Sequence, residues 1–129
     1  MEETTKPESA AHPEPEVEHT LEGGTARITL RGEPTEAARR PLVRCMTDLL
    51  LAHDPLQRTE LHLAGVSFMN SAGMAVLVQL QKMAAPRRVD VVLVSPTAAV
   101  ARPLQLSGLW SRFEMVDVPA ELHPEPGAS

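Results

Sequence analysis

The 129-residue sequence has no tyrosine, two phenylalanines and one tryptophan, so Phe68, Trp110 and Phe113 are its whole aromatic complement. Proteins that bind single-stranded nucleic acid stack bases on aromatic rings, and this chain has few to offer. A single cysteine, Cys45, excludes an internal disulfide and a cysteine-based zinc cluster, and it suits a reducing compartment. No stretch reaches the roughly 18 apolar residues of a membrane span. The opening MEETTKPESAAHPEPEVE lacks both the basic start and the apolar run of a signal peptide. A basic excess is missing too: the net charge of −5 argues against DNA or an anionic membrane as the main partner. These absences lead us to expect a cytoplasmic protein with no direct nucleic-acid contact and no membrane insertion.

Catalytic machinery is also sparse. No glycine-rich phosphate loop follows any strand signal. The five histidines (His12, His19, His53, His62, His123) show neither metal nor triad spacing. Cys45 lies inside a helical apolar pattern and reads as a small buried residue, not a nucleophile. The expectation is no enzyme, no metal and no cofactor.

What is present is an aliphatic core and a lopsided charge distribution. Apolar residues make up 43% of the chain, ample for one core, and the length suits one domain. Residues 1–18 hold six glutamates against one lysine, a net −5, and Asp117, Glu121 and Glu125 add −3. The stretch between them is therefore about +3, so the acidity lives in the ends. Residues 1–16 read as a disordered acidic leader and 118–129 as a flexible, proline-bearing tail. Residues 17–117 form the domain.

Within that domain strand and helix signals alternate. Val17 to Leu21 and the Ala26, Ile28, Leu30 alternation flank a Gly23-Gly24 turn, as in a hairpin. Leu42, Met46, Leu49, Leu50 and His53 fall at helical spacing, with Pro41 in the first turn and an end near Asp54-Pro55. Glu60–Leu63 alternates as a strand. Asn70 and Ser71 open a helix over Ala72–Ala84 that Pro86 closes. Val89–Val94 is a near-continuous β-branched run, which predicts a strand covered on both faces. A helix follows from Ser95-Pro96-Thr97 to about Leu106, with Pro103 inside it, and Phe113–Val116 is the last strand. The order β-β-α-β-α-β-α-β predicts an α/β fold, with helices packed on a mixed sheet of four to five strands.

The segment richest in chemistry is Phe68-Met69-Asn70-Ser71-Ala72-Gly73-Met74. Two capping-type residues stand where a helix begins, with its free N–H groups and positive dipole end. A phosphate on a hydroxyl there meets favourable electrostatics and adds close to two negative charges. The plainer reading is a helix cap and nothing more. From Ala72 to Leu80 only Gln79 is polar. Leu77 and Leu80 are expected to face the core, leaving Met74, Ala75 and Val78 near the surface beside Ser71.

This segment resembles the phosphorylation-site signature of the STAS domain family, whose best-known small members are the bacterial anti-sigma-factor antagonists. Ile28-Thr29-Leu30-Arg31-Gly32-Glu33 is similar to that family's second strand and Gly-Glu turn. Leu106-Ser107-Gly108-Leu109 is similar to its Ser-Gly-Leu at the end of the third helix. The resemblance implies that Ser71 is the phospho-acceptor. It also implies a partner-binding surface at Glu33, Thr35, Asn70, Ser71, Ala72, Gly73, Met74, Ala75 and Val78. The implied partners are an anti-sigma factor that is itself a serine kinase, and a metal-dependent phosphatase that removes the phosphate. Unphosphorylated antagonist binds the anti-sigma factor and frees the sigma factor. An alternative under the same resemblance is a docking subunit of a lipid-transport ABC system or of a stress-sensing scaffold, with the serine only capping its helix. The sequence departs from the family pattern in three places. Asn70 stands where Asp is usual, Pro34-Thr35 replaces a pair ending in Asp, and Ala85-Pro86-Arg87-Arg88 replaces a Gly-Gly turn.

Overall fold

The computed structural model describes residues 16–33, 36–52 and 55–118; the leader before Glu16, Pro34, Thr35, His53, Asp54 and the tail after Val118 lie outside it. Strands β1 (Glu16–Glu22) and β2 (Thr25–Gly32) pair antiparallel across Gly23 and Gly24, with φ of 59° and 86°. A two-residue turn with positive φ at both positions matches the twist of its strands, and glycine reaches it without strain. Helix α1 (Arg39–Leu50) follows a 3-10 turn at Glu36–Ala38. Then come β3 (Arg58–Val66), α2 (Ser71–Ala84), β4 (Asp90–Val94), α3 (Ala98–Ser107) and β5 (Glu114–Val116). The element order is the one expected from the sequence. Pro103 is accommodated within α3, which ends on Gly108 at φ 83°.

The strands lie in sequence order, β1-β2-β3-β4-β5, and every pair after the first is parallel. Each crossover advances one strand in the same direction, and right-handed connections put all three helices on one face. The core sits beneath them. Ile28, Leu30, Leu61, Leu63 and Leu93 from the sheet meet Leu42, Met46, Leu77, Leu80 and Leu104 from the helices, all at most 1% exposed. Burying each such side chain contributes about 1.5–3 kcal/mol.

The opposite face carries a polar grid. Glu60 of β3 lies within 3.1 Å of Arg58, 3.4 Å of Arg27 and 3.0 Å of His62, and Arg58 also reaches Glu114 at 3.9 Å. The hydrogen bond from His62, then that from Arg58, holds the Glu60 carboxyl below the usual carboxylate range against the opposing effect of burial. Val92 and Val94, on this face by register, are 0% and 7% exposed. Strand β4 is thus covered on both sides, but helices cover only one. On the other side Val92's neighbours are Glu60 and Glu114, whose long side chains flank it.

Candidate functional site

The carboxyl ends of the parallel strands form one rim, and the start of every helix lies on it. In open α/β sheets this is the end where ligands and partners gather. Strand β3 is longer than the alternation of residues 60–63 suggested, and near its end the pairing with β2 slips between Thr29 and Arg31. A Cβ on Gly65 would lie 2.9 Å from Arg31 Cγ, so glycine lets the Arg31 stem cross there towards Glu18, 3.5 Å away.

Beyond β3 the loop is tied to both sides. The Ser67 N–H donates to the Gly32 carbonyl at 2.9 Å, and the Thr97 hydroxyl donates to the Val66 carbonyl at 2.9 Å. Met69 is buried among the core side chains, whereas Phe68 beside it is 48% exposed. Asn70 is extended, and its Oδ1 accepts from the Gly73 N–H at 2.9 Å while its carbonyl accepts from the Met74 N–H at 3.0 Å. Asn70 therefore satisfies one of the free N–H groups of the first turn, and it is the cap.

Ser71 is the first residue of α2, exposed, and its hydroxyl has no hydrogen-bond partner among the described residues. The two capping-type residues thus divide the work: Asn70 holds the helix, and the Ser71 hydroxyl is left available. Ala75, one turn on, is exposed on the same stripe; Ala72 is half-buried. Met74 and Val78, expected near the surface, are half-buried and pack against the core, and Gly73 is buried. Leu77 and Leu80 face the core as expected. Glu33 is exposed just after Gly32, whose carbonyl anchors Ser67, while Thr35 lies outside the described residues.

Cys45 is buried, and burial with the nearby Asp48 charge raises its thiol pKa to about 11, so it stays protonated at neutral pH. Among the described residues no three metal-ligating side chains cluster, and no helix is long and apolar enough to cross a membrane.

The sequence matches the STAS domain family over residues 14–122. The chain belongs to the STAS domain family. No curated protein sequence shows a significant match to it. Solved STAS-like structures share its fold at low identity. An anti-sigma factor antagonist from Mycobacterium paratuberculosis is 18% identical, with a TM-score of 0.67 over 84% of this chain and 90% of that one. The anti-sigma factor antagonist SpoIIAA in its unphosphorylated form is 20% identical, with a TM-score of 0.68 over 82% and 90%. The STAS domain of a SulP transporter from Vibrio cholerae is 22% identical, with a TM-score of 0.62 over 91% and 87%. In this STAS chain sequence reasoning found the Ser71 segment but missed Phe68 as an exposed apolar group. Its position among Ser67, Asn70 and Ser71 was the available signal.

Proposed function

We propose that this STAS protein is a cytoplasmic anti-sigma-factor antagonist whose binding is switched off by phosphate on Ser71. The observation that carries the reading is the unencumbered Ser71 hydroxyl, held at the first position of a helix that Asn70 already caps. The likeness to anti-sigma factor antagonist structures supports the same fold-level placement. The anti-sigma factor is a serine kinase in this reading. Ser71 Oγ attacks the γ-phosphorus of ATP, the bond to the ADP oxygen breaks, and the hydroxyl proton passes to a base of the kinase. A metal-dependent phosphatase reverses the change. The chain itself is substrate and switch and performs no catalysis.

Docking uses the rim, where Phe68 offers an apolar anchor and Glu33, Asn70, Ser71 and Ala75 surround it. Phosphate adds close to two charges at its centre. Incubation with a kinase-type anti-sigma factor and ATP tests this, with intact-mass measurement. The expected result is one phosphate on wild type and none on Ser71→Ala. Ser71→Asp should bind the anti-sigma factor at least about tenfold more weakly while melting like wild type. Equal affinities would end the charge-switch reading.

The likeness to a transporter's STAS domain favours one second reading, a permanent docking subunit of a membrane transport system or scaffold. There Ser71→Ala and Ser71→Asp would leave partner affinity unchanged.

A further inference from the structure

Helices α1 and α2 follow neighbouring parallel strands, so their first turns lie side by side on the rim and the helices pack together. A surface groove of about 230 Å³ between them is lined by Arg39 of α1 and by Ala72, Ala75, Val76 and Gln79 of α2. The α2 wall carries no charge. Arg39 is exposed, and among the described residues its guanidinium has neither an ion pair nor a hydrogen bond. Ser71 adjoins Ala72 in sequence and shares a stripe with Ala75, one turn away. Packed helices lie roughly 8–10 Å apart, a gap that an arginine stem and a phosphorylated serine span between them.

The placement of Arg39 runs against helix stability. Arg39 and Arg40 occupy the first turn of α1, where the helix dipole disfavours cations, and Ala38 ahead of them provides no side-chain cap. Local rules broken in this way tend to mark function.

We propose that Arg39 receives the phosphate carried by Ser71, closing the α1–α2 groove over Ala72 and Ala75 when the protein is phosphorylated. The planar guanidinium fork pairs two of its N–H groups with phosphate oxygens, a match that lysine lacks. Phosphorylation then does two things at once: it adds charge, and it draws a side chain across the small-residue surface on which a partner would dock. The inference rests on Ser71 being the phosphorylated residue, and it concerns where the phosphate goes once attached.

The test uses the full chain with phosphoserine installed at position 71 by codon suppression, so that no kinase is needed. Phosphorus NMR then follows the second phosphate ionisation. In the Arg39 protein it should titrate about half a pH unit or more below its position in Arg39→Gln at low salt, and the gap should shrink as salt is added. Arg39→Lys should fall between them, and Arg102→Gln on α3 should match wild type. The Arg39 Nε–H signal should move on phosphorylation. Coincident titration curves for wild type and Arg39→Gln, with an unmoved Nε–H signal, would overturn the proposal. The expected shift of the phosphate titration combined with no anti-sigma-factor binding by the unphosphorylated protein would leave this pair standing and remove the antagonist reading instead.

Discussion

Helix α2 begins on Asn70, whose side chain accepts from the Gly73 N–H, and its first turn is free of charge. Helix α1 begins beside it on Ala38, which is buried, has helical dihedrals, continues the Glu36–Ala38 3-10 turn and makes no side-chain cap hydrogen bond. Two arginines then occupy the α1 first turn. One start is built to hold a serine still; the other gives up local stability and presents cations. The rim is therefore asymmetric around Ser71, with a firm wall on the α2 side and a charged, weaker one on the α1 side.

That contrast can be tested from its largest effect downward. Leu42 and Leu77 are both 1% exposed, so Leu42→Ala in α1 and Leu77→Ala in α2 should each cost about 2–5 kcal/mol in urea unfolding. Similar losses would show that the helices are equally well packed and differ only at their starts. Asn70→Ala should cost about 1 kcal/mol and raise amide exchange over Ser71–Met74. An unchanged exchange pattern would break the comparison. Arg39→Gln with Arg40→Gln should stabilise the domain by about 0.3–1 kcal/mol at low salt, an effect that fades in high salt.

The smallest effect is expected away from the rim. Glu60→Gln should cost roughly 0.2–0.5 kcal/mol at neutral pH. The Glu60 pKa is depressed in the folded state, so its contribution is present above the unfolded carboxylate pKa and is lost as pH falls through the folded one. Thermal melts of the two proteins should converge in acid.

Much of this architecture was legible from residue order. The Ala26, Ile28, Leu30 alternation, the β-branched run before Ser95 and the Asn70-to-Pro86 helix all state their periodicity locally. The extent of β3 was not legible, because Arg58 and Gly65 have little strand propensity and are held by pairing, Arg58 with both β2 and β4 and Gly65 with β2. The helix-free face was hidden for a related reason. Covering of Val92 by Glu60 and Glu114 depends on cross-strand register, which a one-dimensional pattern does not contain. At the site, Ser71 was readable from its motif. Which of Asn70 and Ser71 caps the helix, and that Arg39 stands across a groove from Ala75, required the positions of neighbouring elements.

The strictly sequential strand order has a kinetic consequence. Each new strand joins the edge left by the one before it, so no strand must wait for a later segment to be inserted at its side. Loop closures stay short, and such topologies fold faster than those of similar size that thread a central strand last. The hairpin of β1 and β2 can nucleate first, and β5, three residues long, completes the sheet at its far edge. The Ser71 loop, tied to Gly32 on one side and Thr97 on the other, reaches its working shape only after β4 and the start of α3 have docked. The proposed switch is then among the last parts of the protein to form, and its hydroxyl is presented only on a nearly complete domain.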